Sequence, residues 1–356
     1  MSKKNLFNIH NLSVKDIDEN SELIPLMTPE DEIEINKEEL PLTLPILSLR
    51  NTVLFPGVVI PITASRNKSI QLIKDANNFN KLLGVVSQKD EKIEVNEFRN
   101  QISNLLTSKI DSITFFGTTG EGPSISFSEK IQTLEYLLSY ELSPKQIYVS
   151  IIQSNYKSAQ IEIDKYNELG INKFLVSPPF FFKELDQNAL EKWFINLFSN
   201  ISNENKIFLY NIPQITKIKI KADLINNLQE KFGTKFIKGV KDSSGDINQT
   251  NEYLKSNNIM TTVGDERLIA RTIKLGGAGA ICGLSNIYPN EISKIILSKK
   301  NNPHIIKVVN KILKYPVVPA IKTLIYLKTK NKIWLNVRPP LIKSSNKIIN
   351  DLKKII

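Results

Sequence analysis

Cysteine and histidine are nearly missing: of 356 residues one is a cysteine, Cys282, and two are histidines, His10 and His304. A single thiol forms no internal disulfide, and a Cys/His zinc site has no ligand set. No apolar run approaches the roughly 18 residues of a membrane-spanning helix. Met1-Ser2-Lys3-Lys4 is followed by polar sequence rather than by the apolar segment of a signal peptide. These absences predict a cytoplasmic, metal-free protein away from the membrane. Neither a G-x-x-x-x-G-K-[ST] phosphate loop nor a G-x-G-x-x-G dinucleotide turn occurs, which removes the nucleotide chemistries that depend on them.

Charge is present in excess but unevenly. The formal net charge is +11; residues 1–94 carry 11 Lys/Arg against 14 Asp/Glu, a net −3, and residues 95–356 carry 36 against 22, a net +14. The lysines of the second part are scattered singly among Asn and Ile, without an aromatic-basic stripe or a helix-turn-helix pattern. Nucleic acid is therefore not the expected partner. With 41% hydrophobic residues the chain can bury a sizeable core.

The first 39 residues are acidic, lack a sustained period and read as a flexible tail. From Leu40 the run LPLTLPILSLRNTVLFPGVVIPI is β-rich and broken by prolines, followed by a short helix over 65–76 and a strand over 81–86. From Val95 onward, amphipathic stretches at 95–108, 127–140, 156–169, 185–199, 222–232, 249–256, 267–275 and 289–298 alternate with β-branched or aromatic runs. Those runs lie at 113–116, 147–151, 173–176, 207–210, 236–240, 260–263 and 280–283. The alternation predicts a parallel α/β fold, one strand short of a (β/α)₈ TIM barrel; on alternation alone a doubly wound sheet stays open.

In a barrel, chemistry belongs at the C-terminal ends of strands. Gly117-Thr118-Thr119-Gly120-Glu121-Gly122 follows one strand, and its hydroxyls and exposed amides suit a carboxylate. Tyr210-Asn211-Ile212-Pro213 ends another, where a phenol can relay protons. Lys238-Gly239-Val240-Lys241-Asp242-Ser243-Ser244-Gly245 brings a lysine to the end of an apolar strand, and desolvation of an amine favours its neutral, nucleophilic form.

Two resemblances follow from these residues. LPILSLRNTVLFPGVVIPITASRNKSIQLIKDANN with LLGVVSQKDEKIE resembles the start of the N-terminal substrate-binding domain of bacterial Lon proteases over residues 1–94. Without a phosphate loop, an ATP-dependent protease is excluded. GTTGEGPSIS, YNIP, KGVKDSSGD, VGDE, GGAGAICGLSNIYP and VRPPL, in that order, resemble the dihydrodipicolinate synthase / N-acetylneuraminate lyase family of pyruvate-dependent class I aldolases over residues 95–356. That resemblance implies a Schiff base between Lys241 and pyruvate or a related 2-oxo acid, with no separate cofactor. It also implies proton transfer by Tyr210 with Thr118 as relay partner, and an α-carboxylate held by Thr119 and the amides of Gly117 and Gly120. Ile281 would pack beside the keto acid, an aldehyde would be the second substrate, and the protein would be a homo-oligomer, tetrameric by resemblance.

Three departures qualify it. Gln214 and Ile215 follow YNIP where lysine-pathway members carry an arginine, which favours a 2-keto-3-deoxy sugar-acid aldolase-like activity over dihydrodipicolinate synthesis. The family's paired tyrosines appear as Phe180-Phe181, and a phenylalanine relays no proton. The family's first strand is missing, and 82–86 is the stretch placed to fill it, so 81–94 belongs provisionally with the barrel. The alternative function is a non-catalytic, Lon-like polypeptide-binding fusion with a degenerate barrel, which an exposed apolar surface over 47–60 would favour.

Overall fold

A computed structural model describes residues 45–49, 67–79, 84–87, 93–108, 110–140 and 142–356. The acidic stretch 1–39 and most of the Lon-like segment, including all of 47–60 beyond Leu49, lie outside the described residues. The chain divides into two units, Met1–Asp90 and Glu91–Ile356.

In the first unit β1 (Ile46–Leu49) and β2 (Gly84–Ser87) pair in parallel, Ile46 opposite Gly84 and Leu49 opposite Ser87. Parallel neighbours require a crossover, and the connecting chain carries α1 (Asn67–Phe79). Leu47 and Ala76 are its buried apolar residues among those described. This pairing differs from the expectation for 82–86. The described part of that stretch is bonded to β1 in a sheet of its own, and no ladder among the described residues joins it to the barrel strands. Both β1 and β3 are one strand–helix–strand connection away from it, so chain connectivity permits either pairing, and the ladder with β1 is the one formed.

The second unit alternates α2 (Val95–Leu106), β3 (Ile113–Phe115), α3 (Phe127–Leu138), β4 (Ile147–Ile151), α4 (Tyr156–Glu168), β5 (Lys173–Val176), α5 (Gln187–Phe198) and β6 (Lys206–Asn211). It continues through α6 (Ala222–Phe232), β7 (Ile237–Asp242), α7 (Ile247–Leu254), β8 (Met260–Val263), α8 (Ile269–Lys274), β9 (Gly279–Ala280) and α9 (Pro289–Ser298). It closes with α10 (Pro303–Ile312), α11 (Val317–Thr329) and α12 (Asn346–Leu352). Helix starts are set by polar caps: Asn155, Asp186, Asp246 and Asn302 each accept backbone N–H groups at the first turn of α4, α5, α7 and α10. Each such cap contributes about 1 kcal/mol.

The strands β3 to β9 form one parallel sheet in chain order. Their side chains alternate between two apolar layers. Ile147, Val149, Phe174, Val176, Ile207, Leu209 and Val240 face the helices, whereas Leu175, Phe208, Tyr210 and Ile212, with Tyr148 against them, form a separate interior cluster. Burial on both faces is what makes these strands continuous apolar runs. The sheet curls until its first and last loops meet: a Cβ built on Gly283, after β9, would lie 3.7 Å from Thr119 Oγ1, after β3. The result is the (β/α) TIM barrel read from the alternation. Among the described residues, β3 is bonded only to β4 and β9 only to β8.

Candidate active site

Strand β7 runs two residues further than the apolar run in its sequence, through Asp242, and this extension carries Lys241 into the ladder. Lys241 stands opposite Tyr210 of β6 and Thr262 of β8. A register shift between Ile207 and Phe208 accommodates the odd spacing of Ile237 and Val240, which both face the helices. Lys241 is 8% exposed, and its Nζ lies 4.2 Å from the centroid of the Tyr210 ring, within cation–π range. Among the described residues no carboxylate pairs with this ammonium. The adjacent Asp242 is occupied elsewhere: it accepts from Asn211 Nδ2 at 2.9 Å, the Ser244 amide at 3.0 Å and Thr250 Oγ1 at 2.7 Å. Asn211 Oδ1 in turn accepts the Ile220 amide at 3.1 Å. Strand alternation thus puts the amine on one face and the carboxylate on the other. Gly264 keeps room beside the amine, since a Cβ there would stand 2.2 Å from Ser243 Oγ and 3.5 Å from Lys241 Cε.

Tyr210 is 3% exposed, and its hydroxyl is 3.2 Å from Thr118 Oγ1. The three residues singled out as catalytic therefore converge at the C-terminal ends of their strands, although Thr118 and Tyr210 are 92 positions apart. Thr119 shares the turn with Gly117 and Gly120. Two non-glycine residues in the left-handed region, Phe116 at φ 56° and Glu121 at φ 54°, bracket it, each at a cost of about 1–3 kcal/mol. The turn is closed by the Gly122 amide donating to Gly117 O at 3.1 Å and the Glu121 amide donating to Thr118 O at 3.2 Å. Only glycine fits at 122, where a Cβ would fall 1.7 Å from Phe116 O. Ile281 follows the short β9, and its amide donates to Val263 O at 3.0 Å, which keeps it in register beyond the two ladder residues.

Sequence reasoning missed what holds the turn. Glu121 pairs with Lys322 of α11 at 2.5 Å, with the two side chains 10% and 17% exposed. Its other oxygen accepts the Arg338 amide at 2.7 Å, and the Arg338 guanidinium pairs with Glu129 of α3. Glu129 also accepts the Ile93 amide at 2.8 Å. The one available signal is Glu121 itself, an acidic residue inside a turn suited to an anion. Lys322 carries no signal in a chain with 47 lysines and arginines.

Other expected positions lie differently. The Phe180 amide donates to Ser154 Oγ at 3.3 Å. Phe181 and Phe182 are 72% and 71% exposed and stack edge to face at 5.2 Å. Gln214 donates to Ser243 O at 2.6 Å, and Ile215 is exposed. Beside Ile281, burial and the neighbouring Glu266 push the Cys282 thiol upward, and burial raises Glu266 as well, against the Leu284 amide that donates to it. No cluster of three His, Cys, Asp or Glu able to hold a metal occurs among the described residues, and no helix among them is long and apolar enough to cross a membrane.

An interior lysine, with a phenol and a hydroxyl beside it at the mouth of a parallel barrel, defines the class: a (β/α)-barrel protein with an amine-centred site. Residues 80–356 match the dihydrodipicolinate synthetase family, and the chain belongs to that family. Residues 43–112 match the substrate-binding domain of ATP-dependent protease La (LON). The chain is 29% identical over 264 residues to the 2-dehydro-3-deoxy-D-gluconate/2-dehydro-3-deoxy-phosphogluconate aldolase of Picrophilus torridus, covering 70% of this chain and 94% of that one. The crystal structure of dihydrodipicolinate synthase from Agrobacterium tumefaciens superposes with a TM-score of 0.72 at 31% identity, over 75% of this chain and 94% of the other. The Lon protease of Flavobacterium johnsoniae is 63% identical over 94 residues, 26% of this chain and 12% of that protease; the chain spans only that small share of it.

Proposed function

We propose that the barrel is a Schiff-base-forming lyase that acts on pyruvate or a related 2-oxo acid through Lys241. The observation that carries this reading is the stack of three groups: the Lys241 amine 4.2 Å from the Tyr210 ring centroid, and the Tyr210 hydroxyl 3.2 Å from Thr118 Oγ1. In the reaction, Lys241 Nζ attacks the keto carbon, and loss of water leaves a protonated imine. The imine is an electron sink, so the neighbouring C–C bond breaks or forms through an enamine rather than a free carbanion. Tyr210 carries the proton to and from the substrate, passing it to Thr118. Thr119 and the amides of Gly117 and Gly120 hold the α-carboxylate, and Ile281 packs against the keto acid.

The aldehyde is read from the mouth. Gln214 is committed to Ser243 O and Ile215 offers no charge, so this segment supplies no cation for a second carboxylate. A hydroxylated aldehyde, giving a 2-keto-3-deoxy sugar acid, fits better than a carboxylated one. The reading places the protein in the cytoplasm as a homo-oligomer, tetrameric by resemblance, with no proton relay from Phe180-Phe181.

Pyruvate plus borohydride tests the proposal: mass spectrometry should locate a reduced adduct on Lys241, absent in Lys241→Ala. Absence of any adduct at saturating pyruvate would refute it. A comparison of hydroxylated and carboxylated aldehydes as acceptors tests the substrate class, and faster turnover of the carboxylated one would reverse that assignment.

A further inference from the structure

The 117–122 turn poses an electrostatic problem that its sequence does not solve alone. It is the turn read as the carboxylate holder, yet it contains Glu121, two residues beyond Thr119 and 10% exposed at its side chain. A carboxylate there, left uncompensated, would repel the ligand. Lys322, which reaches it from α11 at 2.5 Å, is the only cationic side chain paired with it among the described residues. The remaining Glu121 oxygen is taken by the Arg338 amide at 2.7 Å. The same contact fixes a residue in the left-handed region, and Arg338 passes the anchor on to Glu129.

We infer that Glu121 and Lys322 are positioning residues that work as one neutral clamp: the pair holds the turn in its strained shape while cancelling a charge that would otherwise oppose an anionic 2-oxo acid. The inference rests on the Schiff-base reading above. Its consequence is asymmetric. Removing the cation leaves a partly buried, unpaired carboxylate beside the ligand, whereas removing the anion leaves a cation there. A merely structural role would penalise both changes alike and would not distinguish charged from neutral ligands.

The experiment measures half-saturating ligand concentration for borohydride trapping at Lys241 in the full chain, with pyruvate and with its neutral analogue pyruvamide. Lys322→Met should weaken pyruvate about tenfold or more, as expected for an uncompensated charge within about 12 Å at an effective dielectric of roughly 20, and pyruvamide less than threefold. Glu121→Gln keeps an acceptor for the Arg338 amide, and its pyruvate affinity should stay within about threefold of the parent or tighten. The double variant should recover most of the loss seen in Lys322→Met, since no unpaired carboxylate remains. Lys322→Arg serves as the variant that keeps charge and should bind like the parent, so a folding failure of Lys322→Met does not decide the matter. Equal losses for pyruvate and pyruvamide, equal losses for Lys322→Met and Glu121→Gln, or a double variant no better than Lys322→Met would each overturn the clamp. A parent that traps no pyruvate at all would instead overturn the Schiff-base reading, and the clamp with it.

Discussion

The first unit matches a Lon protease at 63% identity over 94 residues, and its described part amounts to two four-residue strands and one helix around Leu47 and Ala76. The second unit is only 29% identical to the Picrophilus aldolase, yet it assembles seven parallel strands, two apolar layers and a convergent set of polar groups. Sequence likeness and structural sufficiency are different quantities. Identity reports descent along a stretch of chain. A site needs groups from several strands held in one packed shell, and here Thr118, Tyr210 and Lys241 come from three of them.

Several measurements would sharpen or break this contrast. The largest effect belongs to Tyr210→Phe, which removes the hydroxyl and keeps the ring over Lys241. Turnover should fall by about 10²–10⁴-fold while borohydride trapping at Lys241 persists, and unchanged turnover would remove Tyr210 from the mechanism. Next, amide hydrogen exchange should show β4 to β7 protected about a hundredfold or more longer than β1 and β2, as expected for strands of a large core against two strands that, among the described residues, pair only with each other. Equal protection would erase the distinction between the units. Gly122→Ala forces a Cβ to within 1.7 Å of Phe116 O and should destabilise the second unit by about 1–3 kcal/mol, measured as a lower midpoint in urea. The smallest effect is on Cys282. Because its thiol is raised by burial and by Glu266, less thiolate exists at pH 8, and alkylation by iodoacetamide should run slower than for a free thiol. Alkylation at the free-thiol rate would show that this part of the core is open.

Much of the second unit was legible because each strand is a compact β-branched run between polar helices; 147–151, 173–176 and 260–263 coincide with β4, β5 and β8. Lys241 was legible through its motif, but the apolar run stopped at Val240, so its place inside a ladder was not. That place depends on pairing with Tyr210 and Thr262, which no local pattern encodes. β9 is shorter than its run suggests because Gly279 and Ala280 give way at Cys282 to a 3₁₀ turn over Gly283–Asn286. The partner of 84–87 was not legible either. Its four residues fit any parallel edge, and a helix separates them from β1 and from β3 alike, so no local pattern encodes the pairing with β1. Lys322 was invisible for a different reason: a lysine acquires meaning only from the carboxylate that it reaches, 201 positions away.

The central claim is that Lys241 and Tyr210 together turn a 2-oxo acid into an enamine. Exchange of the pyruvate methyl protons in deuterated water, followed by NMR without any aldehyde, tests it most directly. The account predicts catalysed deuterium incorporation that disappears in Lys241→Ala and drops by about two orders of magnitude or more in Tyr210→Phe. Exchange no faster than in buffer, or exchange that survives Lys241→Ala, would contradict it.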